Sequence, residues 1–164
     1  MIITKTDFIA FLDAPRHLWA IKHNKLSEKE ISVFIQHLFE QGYEVEEYAE
    51  KYIREVLIPS YGVSENDVLI QPTHIDQNYQ ARTDVLIKNP GTDKWDIVEI
   101  KSTNEVKKQH KYDATFQFLV FKEKYDIGSV YILHLNKEYV RQDELNLAEL
   151  FQLSDVTTDV IDLQ

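Results

Sequence analysis

Cysteine is absent from the 164 residues, so the chain makes no disulfide, thiolate zinc site, iron–sulfur cluster or cysteine nucleophile. Glycine and proline are scarce, four of each, and no low-complexity run or solenoid-period repeat occurs. Basic charge is also short. Eighteen Lys and Arg stand against 28 Asp and Glu, a formal charge of −10, which disfavours indiscriminate binding to nucleic acid or anionic membrane. Any contact with phosphate must therefore be local. No apolar run approaches the roughly 18 residues of a membrane span, and Asp7, Asp13 and Arg16 deny the opening residues a signal-peptide core. The expectation is a soluble cytoplasmic protein without a membrane partner. No Gly-rich phosphate loop or nucleophile elbow occurs, and the histidines at 17, 23, 37, 74, 110 and 134 lack zinc spacing. What is plentiful is core material, 43% apolar and 12% aromatic residues, ample for one domain.

Thr6 or Asp7 can cap a first helix carrying Phe8, Phe11 and Leu12, which Pro15 interrupts before Leu18, Trp19 and Ile21. Ser27 and Glu30 stand at capping-box spacing before Ile31, Phe34, Ile35, Leu38 and Phe39, with Gly42 at the exit. A further helix turns Val45, Tyr48, Ala49, Tyr52, Ile53 and Val56 inward and ends at Pro59 and Gly62. The first sixty residues are thus expected to be helical. The period then changes. Val68 to Ile70, Ala81 to Ile87, Trp95 to Ile100 and Val130 to Leu135 are short β-branched and aromatic runs, hence strands. Asn89, Pro90, Gly91 and Thr92 predict a hairpin between the second and third runs. Tyr112, Phe116, Leu119 and Val120 predict a helix over 109–125, a crossover between parallel strands. The order predicts an α/β or α+β layered domain, with a sheet core over 65–136.

Three ionisable residues interrupt these strands: Asp84 before Val85-Leu86-Ile87, and Glu99 and Lys101 in Glu99-Ile100-Lys101. Side chains alternate along a strand, so Glu99 and Lys101 share a face while Ile100 leaves its carbonyl near the same edge. Two carboxylates and a carbonyl suit magnesium or manganese, and a neighbouring lysine can position or help deprotonate a water. The implied reaction is phosphodiester hydrolysis. The plainer alternative is a solvated pair at strand ends. Against it, the surrounding Val85, Leu86, Ile87, Ile97, Val98 and Ile100 imply burial, where an unpartnered charge is expensive.

Asp84 followed by Glu99-Ile100-Lys101 resembles the motif of PD-(D/E)XK nucleases, and the surrounding order is similar to their RecB-like branch. A helical entry, Gly42 with Glu46 four residues on, and a helix bearing Gln117 after the lysine all appear in sequence. The resemblance implies a restriction-endonuclease-like α/β fold, a mixed sheet flanked by helices behind a helical N-terminal segment, in a single domain over 1–164. It also implies that Glu46 occupies the position where lambda-exonuclease-type members carry a Glu and CRISPR-adaptation members a His ligand. Glu46 lies roughly 90° from the apolar face of its helix, at the border that can reach a sheet edge; a solvated helix face is the alternative, with Glu47 in reserve. Gln117 would buttress the site or touch a phosphate. Phe121 stands where the branch has tyrosine, and Asp113 lies one turn before Gln117 on the same face. The segment Asp13 to Trp19, with Ala14 where relatives carry Cys, is similar to the entry of the CRISPR-adaptation nucleases, whose iron–sulfur cluster this chain cannot hold. The same segment, the stretch Leu133 to Val140 and the tail from Leu150 resemble a bacterial family of unassigned function whose members continue into a second domain, which implies a possible fragment and a further domain or partner protein.

Residues 101 to 124 carry six lysines against three acids, the one basic patch in the chain. Lys107, Lys108 and Lys111 are the candidate DNA contacts, or else a solvated helix face. Arg82, two residues before Asp84, can steady a phosphate or pair with an acid. The sequence therefore predicts a Mg²⁺- or Mn²⁺-dependent deoxyribonuclease. Asp84, Glu99, Ile100 and Glu46 are its metal ligands, Asp84, Glu99, Lys101 and Gln117 its catalytic set, and exonuclease-like cutting follows from the resemblance. The rival expectation is a non-catalytic module of the same fold that binds DNA or a partner protein.

Overall fold

A threonine four residues into the chain sets the first helix. The computed structural model describes residues 1–25 and 33–164, and for residues 33–41 the backbone alone. Strand β1 (Ile3–Thr4) leads directly into α1 (Lys5–Asp13). Thr4 caps α1: its hydroxyl accepts the Asp7 amide at 3.3 Å, and the Asp7 carboxylate accepts the Thr4 amide at 2.8 Å. The cap thus precedes the expected Thr6 or Asp7, because Asp7 serves as the partner one turn on. Pro15 breaks the helix as expected and opens α2 (Pro15–Lys22), where its missing N–H is harmless. Lys22 reaches back to Asp7 at 2.6 Å and fastens the two helices.

The expected cap at Ser27 and Glu30, and Ile31, lie outside the described residues, as do the side chains of Phe34, Ile35, Leu38 and Phe39. Helix α3 (Val33–Tyr52) runs through Gly42, so the expected exit there is corrected. A single glycine costs a helix only about 1 kcal/mol relative to alanine, and the inward stripe continues through Ala49 and Tyr52. Nor does Pro59 end the helical segment. A wide π-type turn (Ile53–Leu57), in which the Ile58 amide reaches the Ile53 carbonyl, passes into α4 (Ile58–Tyr61), which contains the proline in its first turn. The stop comes at Gly62, whose φ of 67° is the left-handed cap that glycine adopts without strain.

Two sheets follow. The large one has the order β2 (Val68–Ile70), β5 (Val85–Asn89), β6 (Lys94–Lys101), β7 (Ile127–Leu135), β8 (Phe151–Asp155); the small one has β1, β4 (Tyr79–Arg82), β3 (Thr73–Asp76). Only β6 and β7 pair parallel in the large sheet, joined by α5 (Lys108–Phe121), slightly shorter than the predicted 109–125. The hairpin at 89–92 pairs β5 with β6 as predicted. The run Ala81 to Ile87 is a correction, because it is two strands in two sheets. Where the chain passes between sheets, the Gln71 amide donates to the Asp84 carbonyl at 2.8 Å and the Thr83 amide to the Pro72 carbonyl at 3.3 Å, so the hairpin bends at a corner without losing its ladder. The sheet also extends past the expected 136, since β8 adds a fifth strand on the far edge. Helices α6 (Leu147–Leu150) and α7 (Thr157–Asp162) bracket it.

Alternation along the strands divides the core. Leu86, Ile97, Val130 and Ile132 pack against Ala114, Phe116, Val120 and Phe121 of α5 and Val160 of α7. Val85, Ile87, Val98 and Leu133 pack against Ala49 and Tyr52 of α3 and the π-type turn on the opposite face. The result is a mixed sheet between helical layers, the architecture expected. No described helix is long and apolar enough to cross a membrane.

Candidate active site

Strand β6 is the axis of the site. Parity puts Ile97, Glu99 and Lys101 on the α5 face, but only Ile97 meets apolar partners. Glu99 is 2% exposed, and burial of such a group demands compensation. Two ammonium groups supply it: Glu99 Oε1 accepts from Lys101 Nζ at 2.6 Å and from Lys5 Nζ, at the start of α1, at 2.8 Å. Asp113 of α5 closes the circle, with Lys101 at 2.5 Å and Lys5 at 3.3 Å. Two lysines and two carboxylates thus form a ring of alternating charge. Burial opposes the charged form of Glu99, yet the two lysines override it and hold its carboxyl well below the ordinary range. Burial likewise works against Lys101 and Lys5, and the facing carboxylates outweigh it and raise both. Lys101 is thus held in its cationic form between Glu99 and Asp113.

Asp84 stands at the corner where β4 gives way to β5. Continuing the Val85–Val98 register sets it opposite Glu99, and its Oδ2 accepts the Ile100 amide at 2.7 Å. Burial and the Glu99 charge together push its carboxyl up to about 7. Glu46 of α3 joins from the other layer. Asp84, Glu99, Ile100, Lys101 and Glu46 line one cavity of about 380 Å³, with Gly42, Tyr43, Val45 and Ser102 on its rim. Glu46 Oε1 accepts from the Gln71 side chain at 3.3 Å, whereas Glu47 points outward and pairs with Lys51 at 2.9 Å.

Each carboxylate facing the cavity gives one oxygen to a protein donor, and the other has no hydrogen-bond partner among the described residues. At Glu99 that second oxygen is fully buried. Asp96, three residues upstream on the opposite face, is the contrast. It too is fully buried, but Tyr61, Asn89 and the Ser129 amide satisfy both its oxygens at 2.9 to 3.0 Å. Asp96 is structural, and the orphan oxygen at Glu99 marks the site. The donor chemistry fits a hard divalent cation that keeps several of its waters. Among the described residues no three His, Asp or Glu side chains already converge on a common metal position.

Solved structures share this architecture. LHK-Exo, an alkaline exonuclease from Laribacter hongkongensis, matches 98% of this chain over 82% of its own with TM-score 0.56 and 12% identity. SSO0001 matches 99% of this chain over 76% of its own with TM-score 0.51 and 13% identity. The chain shares the fold of LHK-Exo. No family model and no curated protein matches it, and at such identities the likeness concerns the fold alone.

The other sequence candidates fall at varying distances from the cavity. Gln117 is fully buried behind the ring, its amide 3.4 Å from Asp113 and its carbonyl oxygen without a partner among the described residues, so it supports Asp113 and has no surface to offer a phosphate. Phe121 packs against Tyr125 and His74 in the core, where a phenol hydroxyl would need a partner of its own. Arg82 is exposed at the end of β4 on the small sheet and does not line the cavity, while Asp84 lies in the bend before β5. Lys111 is engaged by Asp159 of α7 at 2.7 Å. Lys108 lies over the Tyr112 ring, and Lys107 is exposed at the start of α5. Lys5 and Gln71 were not legible as site residues, since nothing in their local sequence announces the fold that returns them to β6 and α3.

Proposed function

We propose that the protein is a divalent-metal-dependent nuclease that hydrolyses DNA phosphodiester bonds, acting as an exonuclease of the PD-(D/E)XK type and its RecB-like branch, within a single domain over 1–164. The observation that carries this is the meeting of Asp84, Glu99 and Glu46 around one cavity beside Lys101, each acid keeping one oxygen without a hydrogen-bond partner among the described residues. The name of LHK-Exo as an alkaline exonuclease supports the same class. Glu46, Asp84, Glu99 and the Ile100 carbonyl would hold Mg²⁺ or Mn²⁺, which supplies Lewis acidity at a phosphoryl oxygen and favours hydroxide at neutral pH. The chain's own residues do the rest. Lys101, held by Glu99 and Asp113, presents a fixed positive charge toward the cavity and orients the attacking water. Lys5 and Asp113 keep that charge in place, and Gln117 backs Asp113. Lys107 and Lys108 offer charge to a DNA backbone along the start of α5.

A second reading is favoured by the closed ion-pair ring and by the lack of three converged ligands among the described residues: a module that binds DNA or a partner protein without cutting. One experiment separates the two. End-labelled single- and double-stranded DNA is incubated with Mn²⁺, Mg²⁺ or EDTA, with Lys101→Ala beside the wild type. The nuclease predicts degradation from the ends that EDTA abolishes and Lys101→Ala reduces at least 100-fold, the order expected when a group that stabilises transition-state charge is removed. No degradation by wild type under either metal would sink the nuclease and leave the binding module.

A further inference from the structure

Gln71 occupies a backbone conformation that its side chain does not favour. Its φ is 50°, in the left-handed region that glycine, asparagine and aspartate visit most readily. Such strain persists where the surroundings over-determine it, and it concentrates at functional sites. Here the residue is held at both ends. Its main-chain amide donates to the Asp84 carbonyl at 2.8 Å, and its side-chain amide donates to Glu46 Oε1 at 3.3 Å. The same residue lines a small hollow with Glu46, Asp84 and Ile100 behind the main cavity. Nothing about the corner itself calls for a long amide, since a glycine would make the bend with less strain.

We propose that Gln71 is a positioning residue that fixes Glu46 against Asp84 and so sets the affinity of the site for a divalent cation. This rests on the metal-dependent reading above. Glu46 sits on a helix border, and the bond from Gln71 is its one hydrogen bond among the described residues. The Gln71 amide captures one oxygen and turns the other toward the cavity, which reduces the ordering that a cation would otherwise have to impose. Because Gln71 also grips the Asp84 main chain, it ties the ligand from α3 to the ligand from the sheet corner.

The test is calorimetric Mn²⁺ binding to the full chain as wild type, Gln71→Gly, Glu46→Gln, the double variant and Asp84→Asn, with a thermal melt of each. Gln71→Gly relieves the backbone, so its melting temperature is expected to hold or rise while Mn²⁺ affinity falls about tenfold, the lower end for residues that orient metal ligands. In the Glu46→Gln background the same change should have no further effect, because the partner through which it acts is gone. In the cleavage assay, Gln71→Gly should need more Mn²⁺ for half-maximal rate yet recover the wild-type rate at saturation. Unchanged Mn²⁺ affinity in Gln71→Gly, or an equal loss with and without Glu46, overturns the inference while Asp84→Asn still weakens binding. If wild type binds no Mn²⁺, or Asp84→Asn binds as tightly as wild type, the metal reading itself fails and the inference with it.

Discussion

Asp84 and Glu99 face each other across two strands and titrate in opposite directions. Glu99 has two lysines to hold its charge; Asp84 has burial and a like charge against it, offset in part by the Ile100 amide. In the folded protein Asp84 keeps its proton from the ordinary carboxylate range up to about 7, whereas the unfolded chain has already lost it. Stability from this group is therefore complete at low pH and declines as pH rises through that window. Asp84→Asn retains an oxygen for the Ile100 amide and removes the charge, so it should be more stable than wild type at pH 8, by about 1 kcal/mol or more, and lose that advantage near pH 4. Urea melts at the two pH values check it. An equal difference at both would show that Asp84 is not held in its protonated form. The gain in stability should come with lost metal binding, a trade common where a site concentrates like charge.

At the scale of elements, the joint between β1 and α1 matters most, because it aims Lys5 at the ring. The Asp7 carboxylate in this joint is opposed by burial, but the Lys22 and Thr4 hydrogen bonds prevail and hold it below its ordinary range. Its contribution to stability is present above the ordinary carboxylate pKa and disappears as pH falls through the lowered value. Thr4→Ala should thus cost about 1 kcal/mol at pH 7 and distinctly less at pH 3, measured by the same melts. Much at this scale was legible from the chain: the break at Pro15, the hairpin at Asn89 to Thr92 and the helix after Lys101 follow from local chemistry. The division of Ala81 to Ile87 did not, because the apolar pattern is continuous there and only partners distant in sequence, Pro72 and Gln71, decide where the ladder changes sheets. Asp113 was visible as a neighbour of Gln117 on one helix face, yet its weight in the ring depends on Lys5, which lies far away in sequence. The inward turn of Glu46 in preference to Glu47 follows from the border of an amphipathic helix, but its capture by Gln71 needed the corner to be seen.

For the whole molecule, the net charge of −10 and the cavity's buried acids act together, since both make a bound cation stabilising. A ligand that binds only the folded state adds about 2.7 kcal/mol at a hundred times its dissociation constant. Mn²⁺ and, more weakly, Mg²⁺ should raise the melting temperature saturably, EDTA should reverse this, and Asp84→Asn should abolish it; a shift that grows linearly with any divalent salt would indicate general screening of the acidic surface. The ring also carries a consequence for how the protein comes into being. Lys5 and Glu99 are separated by 94 positions, and Asp113 comes later still. On a ribosome, the first of the four charges emerges long before the last, and closing so long a loop exacts an entropy that only the finished sheet offsets. A nascent chain that stops short of α5 carries Lys5, Glu99 and Lys101 but not Asp113, so the ring of charge closes only when α5 has joined the sheet.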